Sequence, residues 1–209
     1  MAATSTSRPN QGVTNAGALT GVGGTGTPTN GSRLTTTAFS ADAGDTLAFY
    51  FNYVTSDGAG FADYAWARLL DDSLTQVALL FTARTTPGGD TVPGFAMPAP
   101  EATLTPPSTP IIPGGPAWSA LGPDSGGCWA AGCGYTGWIQ SSYTIGAGGT
   151  YYLQFGVTNW GDTAFDSGMA IAGVTVGGVP ITPVPEPGTL ALFGLGLAGL
   201  AVLRRRQAA

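Results

Sequence analysis

The chain has 209 residues, and 7 Lys and Arg stand against 12 Asp and Glu, which gives a formal net charge of −5. This acidic balance argues against nucleic acid as a partner, because neutralising phosphate requires clustered basic side chains. The chain has no His, so it lacks the commonest general base, the commonest zinc ligand and the usual activator of a Ser or Cys nucleophile.

The first part of the chain, residues 1–33, is rich in Thr, Gly, Ser and Asn and shows little apolar periodicity. We expect it to be loop, or the remains of strands whose partners are missing. Residues 45–55 then alternate with a period of two, which is typical of a strand. One face of this strand carries Leu47, Phe49, Phe51 and Tyr53, and the other carries Ala48, Tyr50, Asn52 and Val54.

The next two segments also favour strands. Residues 62–70 fit either a strand or a helix, and their neighbours favour a strand. Residues 74–84 are predicted to form a strand with Val77, Leu79 and Phe81 pointing inward. Residues 85–116 are rich in Pro, which cannot donate to a sheet ladder, so this stretch is predicted to be a long surface loop.

Three further strands are predicted at residues 137–145, 149–160 and 168–176. Outside the C-terminal tail, no segment has the pattern of an amphipathic helix. About seven strands separated by turn residues indicate an all-β domain over residues 34–182, and we expect an antiparallel, jelly-roll-like β-sandwich.

The two cysteines, Cys128 and Cys133, are separated by four residues. Two thiols without His make a poor zinc site, since zinc normally takes four ligands. In an exported chain such a pair predicts a disulfide that closes a small loop. A redox-active pair is the less favoured alternative, because the C-x-x-C spacing and a nearby basic residue are both missing.

Four of the five tryptophans lie at positions 118, 129, 138 and 160. Exposed Trp and Tyr rings suit stacking on sugars, because each combines a rigid apolar body with a polar edge. Trp129, Tyr135 and Trp138 are the candidates for such a glycan-binding platform. The alternative is that these rings fill the core of the sandwich, and Trp160, which ends a strand, is predicted to be buried.

Carboxylate and amide side chains follow two of the predicted strands, and these segments could meet at one edge of the sandwich. The candidates are Asp57, Asp63, Asn159, Asp162 and Asp166. Hard oxygen ligands without His suit calcium better than any transition metal. The alternative, which we favour, is that these side chains cap turns through their own backbone.

Enzyme chemistry has little support in the sequence. A glycosidase needs two carboxyl groups at a set separation, for which Asp63 and Asp166 are the residues to name. Glu101 is the single Glu before residue 183, and it lies in the Pro-rich stretch. Since no base partner exists for Ser or Thr, the sequence predicts a non-catalytic protein without a cofactor, calcium aside.

The tail, residues 183–209, has three parts in order: a Pro-Glu-Pro-Gly box, an apolar run and an Arg triplet at Arg204, Arg205 and Arg206. As a helix, residues 189–203 would be roughly 22 Å long, which is short against a hydrocarbon core of roughly 30 Å. The three Arg are expected to remain cytoplasmic, which places residues 1–184 outside. A buried core helix is the less favoured alternative.

This order of features closely resembles the PEP-CTERM sorting signal of Gram-negative bacteria that make extracellular polysaccharide. Such tails are also labelled as the C-terminal domain of certain ice-binding proteins. The resemblance implies that an exosortase, a membrane-embedded transpeptidase, recognises Pro185, Glu186 and Pro187. It also implies a transient anchor in the inner membrane through residues 189–203. Removal of the tail would then release the domain or attach it at the cell surface.

The rest of the chain is similar to PEP-CTERM proteins of unassigned function over residues 46–63, 128–138 and 156–171. Export presupposes a signal peptide, yet the first residues have neither a basic nor an apolar region. We therefore expect an in-frame signal peptide upstream of Met1 in the gene, unless the chain was trimmed.

These observations predict an exported, non-catalytic protein with a structural or adhesive role at the cell surface or in the polysaccharide matrix. One alternative is a carbohydrate-binding module that uses the exposed aromatic rings, with calcium shaping its loops. Ice binding is a weaker alternative, because the Thr residues of the first segment are irregularly spaced.

Overall fold

A computed structural model describes residues 2–4, 17–24 and 26–181. The strands, in chain order, are β1 (Ala2–Thr4), β2 (Pro28–Thr35), β3 (Phe39–Ala41), β4 (Thr46–Thr55), β5 (Tyr64–Leu70), β6 (Gln76–Arg84), β7 (Asp90–Val92), β8 (Thr103–Thr105), β9 (Thr109–Pro110), β10 (Ile112–Pro113), β11 (Gly134–Tyr135), β12 (Ile139–Thr144), β13 (Gly149–Trp160), β14 (Ser167–Val176) and β15 (Val179–Pro180). Within this part of the chain, the helices are two short 3-10 helices, Ala59–Phe61 and Ser119–Asp124.

The strands form two antiparallel sheets. The first has the order β1-β14-β4-β11-β10, with β12 also paired to β4, β8 paired to β12, and β15 paired to β14. The second has the order β2-β13-β5-β6, with β3 also paired to β13. Strands β7 and β9 form a separate two-stranded ribbon. The predicted all-β, antiparallel sandwich is therefore confirmed.

The main core lies between the two sheets, and β4 supplies its largest side chains. Its inward face is fully buried and consists of Leu47, Phe49, Phe51 and Tyr53. Phe51 stacks on Phe81 of the second sheet with ring centroids 3.7 Å apart, and Phe49 meets Phe155 edge-on at 5.5 Å. The alternation predicted for β4 is confirmed, because one face of the strand is buried and the other is partly open.

The prediction of which β6 side chains point inward is wrong in part. Val77 is exposed, and Leu79 packs on the outer face of the second sheet with Tyr64 and Trp66. The cause is a bulge, since Ala67 pairs with Phe81 but the next residue of β5 pairs with Leu79. The extra residue between them reverses the alternation, so Ala78, Leu80 and Phe81 enter the main core.

The Pro-rich stretch 85–116 is not one long loop, because it contains β7, β8, β9 and β10. Val92 and Leu104 from this stretch are buried in the main core, and β8 adds a strand beside β12. Residues 28–35, which lie mostly in the predicted N-terminal loop, form β2 at an edge of the second sheet. Its half-buried, polar side chains explain why no alternation is visible there.

The tail with Pro185, Glu186, Pro187 and Arg204–Arg206, including the apolar run 189–203, lies outside the described residues. Across the residues that the structure does describe, no helix combines the length and the apolar character needed to cross a membrane.

Candidate functional site

A groove of about 340 Å³ lies on the outer face of the first sheet. Trp118, Tyr135 and Trp138 line it, together with the outward side chain of Asn52 on β4. Trp138 is 54% exposed and Tyr135 is 39% exposed. Both of these candidate platform rings are therefore accessible, as the sequence predicts for Trp138, and the structure brings them together.

Backbone and hydroxyl contacts hold the groove against β4. The Thr136 amide donates to the Tyr53 carbonyl at 2.9 Å, and the Tyr53 amide donates back to the Thr136 hydroxyl at 3.0 Å. Gly137 has a φ of +72°, a conformation that favours Gly, and it turns the chain between the two aromatic rings. The segment that bears both rings is thus hydrogen-bonded to β4.

The opposite side of the groove comes from the segment before the second 3-10 helix. Trp118 donates its backbone amide to the Ser125 hydroxyl at 2.9 Å, and Gly126 donates its amide to the Pro116 carbonyl at 2.9 Å. Farther along the same sheet face, Tyr50 is 44% exposed and accepts a hydrogen bond from the Gln140 amide at 3.4 Å. The face therefore combines aromatic rings with amide and hydroxyl groups.

Trp129, the third predicted platform residue, does not line this groove. It is 58% exposed, as the sequence predicts, but its ring contacts Phe165 with centroids 5.2 Å apart. Trp118 and Asn52 take part instead, and both were missed as groove residues. The alternation of β4 places Asn52 on the outer face, so the sequence could have indicated it. Nothing in the sequence around Trp118 indicates that it lines the groove. Trp160 is buried, as predicted.

The predicted disulfide between Cys128 and Cys133 is present. Hydrogen bonds join its loop to the end of the sandwich. Trp129 donates its amide to the Ser56 carbonyl at 2.9 Å, Ala59 donates to the Ala131 carbonyl at 2.9 Å, and the Thr85 hydroxyl donates to the Gly132 carbonyl at 2.7 Å. The loop therefore covers the ends of β4 and β6.

A buried polar network closes the same end of the sandwich around Asp63. One carboxylate oxygen accepts the Trp160 amide at 2.9 Å, and the other accepts the Ser167 hydroxyl at 2.7 Å. The Tyr53 hydroxyl donates to the Asp63 carbonyl at 2.8 Å. Burial raises the pKa of Asp63 well above its usual range, although the hydrogen bond from Ser167 opposes this.

Asp57 lies at the same end and is 1% exposed. Its Oδ1 accepts the Gly58 amide at 2.6 Å, and among the described residues its Oδ2 has no hydrogen-bond partner. Burial raises the pKa of Asp57 to about 7, and the charges of Asp162 and Asp124 act in the same direction. Asn159 is fully buried, and neither atom of its amide finds a partner in the described part of the chain.

The two segments that carry the predicted calcium ligands do meet. The Ser56 amide and hydroxyl both donate to the Asp166 carbonyl, at 3.2 and 2.7 Å. Asp162 accepts the amide of Ala164 at 3.1 Å, which is the turn-capping contact that was the alternative to metal binding. Over the described ranges, no group of three acidic, His or Cys side chains is arranged to hold a metal ion.

The described residues thus form an antiparallel β-sandwich domain that presents aromatic rings on one sheet face. Residues 183–206 match the family model described as the PEP-CTERM protein-sorting motif. The chain carries this motif, which implies an exported protein with a C-terminal membrane-transit signal and processing by an exosortase.

No curated protein and no solved structure matches the chain. The family match is to a sorting motif, and the ice-binding label has no support from any comparison. The groove must therefore be interpreted from its own geometry.

Proposed function

We propose that the chain is a non-catalytic adhesive protein of the cell surface or extracellular matrix, and that its β-sandwich binds polysaccharide. The observation that carries this proposal is the groove lined by Trp118, Tyr135 and Trp138 on the outer face of the first sheet. The sorting motif implies export, and this supports a location of the protein among extracellular polysaccharide.

The chemistry of the groove suits a sugar chain. A sugar ring offers C–H groups that pack on aromatic faces, and its hydroxyls need polar partners at the edges. The groove supplies both, since Asn52 lies at its floor among the three aromatic residues. A groove of about 340 Å³ accommodates a short stretch of polysaccharide better than a large folded partner.

Two observations support a non-catalytic role. The chain has no His, and the carboxyl groups that a glycosidase would require are enclosed, with Asp63 at 0% and Asp166 at 4% exposure. The general acid and base of a glycosidase must reach both sides of the scissile bond. Incubation with the organism's own polysaccharide should therefore release no shorter products.

Titration of the full chain with that polysaccharide tests adhesion directly. The protein is kept in a polyoxyethylene detergent, which carries no sugar headgroup, and Trp fluorescence is followed. We expect a saturable change that Trp138→Ala weakens at least tenfold, which corresponds to about 1.4 kcal/mol. Trp129→Ala is the matched control, because it removes an equally exposed Trp outside the groove.

The outcomes separate the proposal from its competitors. Equal loss of affinity in both variants would show that the rings do not act through the groove. No saturable change from folded protein would favour a purely structural role. Repeating the titration with and without calcium tests the prediction for Asp57, Asp63, Asp162 and Asp166.

A further inference from the structure

A second cavity, of about 180 Å³, lies at the end of β6 and is separate from the aromatic groove. Arg84 lines it together with Gly60, Thr86, Phe95 and Trp160. The volume is below the roughly 300–1,000 Å³ of sites for drug-sized ligands. The cavity therefore suits a single small unit rather than a long segment of a polymer.

The cation in this cavity is almost completely buried, since Arg84 is 2% exposed. Its Nε–H donates to the Ala62 carbonyl at 2.9 Å, and Nη1 donates to the Gly23 carbonyl. The guanidinium also lies 4.6 Å from the ring centroid of Trp160. All three of these contacts are with neutral groups.

Asp63 is a carboxyl group that acts electrostatically on Arg84, but burial raises its pKa and so favours its neutral form. Its two oxygens accept hydrogen bonds from Trp160 and Ser167. A guanidinium carries five N–H donors in a planar fork, and its contacts within the described chain use two of its nitrogens. A buried charge of this kind is stabilised by an anion that matches the fork.

Two glycines, Gly24 and Gly60, lie in the walls of this cavity. Gly24 has a φ of +109°, and a Cβ at this position would lie 2.6 Å from Nη2 of Arg84. On another wall of the cavity, a Cβ at Gly60 would have no atom within 4 Å. Gly24 therefore lets the backbone approach the guanidinium closely, and the position of a Cβ at Gly60 is open space.

We propose that this cavity binds a carboxylate carried on a sugar ring, as in a hexuronate unit. Arg84 receives the carboxylate through N–H donors other than those bound to the Ala62 and Gly23 carbonyls. Phe95, which is 58% exposed at the cavity, offers its ring to the apolar face of the sugar. The site does not depend on the aromatic groove, and Trp138→Ala is expected to leave it unchanged.

The test follows the Arg side-chain Nε–H signals of the full chain by nuclear magnetic resonance, in the same detergent and at constant ionic strength. Sodium glucuronate is the probe, glucose lacks its carboxylate, and N-acetylglycine lacks its sugar. Arg84→Lys identifies the Arg84 signal. We expect glucuronate to shift this signal saturably, with at least tenfold higher affinity than either of the other two compounds.

A cavity-filling variant keeps the test valid if Arg84→Lys fails to fold. Gly60→Leu blocks the cavity without altering Arg84 and should weaken glucuronate binding at least tenfold. Gly146→Leu is the matched control, because its Cβ also meets open space, and it should bind normally. Absence of saturation, or equal binding by Gly60→Leu, would overturn the proposal. Equal affinity for glucose would overturn its carboxylate part, and equal affinity for N-acetylglycine its sugar part.

Discussion

The substitution Asp57→Asn isolates one buried carboxyl group at the end of the sandwich. Burial raises the pKa of Asp57 from 3.8 to about 7, so between about pH 4 and pH 7 the folded chain holds a proton that the unfolded chain has lost. The free energy of unfolding must therefore fall as the pH rises through this window. The difference between the two pKa values corresponds to about 4 kcal/mol.

Asn has nearly the same shape and does not titrate, so the variant lacks this contribution. We expect urea unfolding at pH 4, 5, 6, 7 and 8 to show Asp57→Asn gaining on the wild type by up to about 4 kcal/mol at the alkaline end. Asp90→Asn, which alters an exposed carboxyl on β7, controls for the loss of one negative charge. Parallel curves for the wild type and Asp57→Asn would refute the reasoning.

The same pair of proteins tests the calcium prediction. If calcium binds at Asp57, millimolar calcium at pH 8 should raise the free energy of unfolding of the wild type and leave Asp57→Asn unchanged. An equal response from both proteins would exclude Asp57 as a ligand.

Three further substitutions test the packing. Gly156→Ala should lose about 1–3 kcal/mol from overpacking, because a Cβ there would lie 2.4 Å from the Trp66 ring; wild-type stability in urea would contradict this. Replacing Cys128 and Cys133 together by Ser should lower the free energy of unfolding by about 2 kcal/mol by the loop-entropy relation, since the second Cys lies five positions after the first. An unchanged urea midpoint would count against this. Phe155→Ala, at a fully buried site, should lose about 3–5 kcal/mol in the same assay, and a loss below 1 kcal/mol would contradict the packing described here.

The sequence alone predicts which side chains of β4 face the core, but the same reasoning fails for part of β6. The reason is local geometry. In β4 the apolar side chains keep a strict period of two from Leu47 to Tyr53. In β6 the bulge near Leu80 breaks this period. A bulge depends on how two strands pair, so the sequence of one strand does not reveal it.

The same distinction applies to the sites. The outward positions of Tyr50 and Asn52 follow from the alternation of β4. The separation of Trp129 from Trp138 depends on how the disulfide loop folds onto Ser56, which is a contact between distant parts of the chain. The burial of Arg84 likewise depends on carbonyl groups from two other segments.

The two faces of β4 tie the shape of the groove to the register of this strand. Phe49 and Phe51 fill the core from one face, while Tyr50 and Asn52 point to the outer face that carries the groove. A slip of one residue would place Tyr50 in the core and turn Phe49 outward. Substitutions that reshape the groove floor are consequently confined to alternate positions of this strand, and a variant that keeps the groove must also keep the native pairing of β4 with β12 and β14.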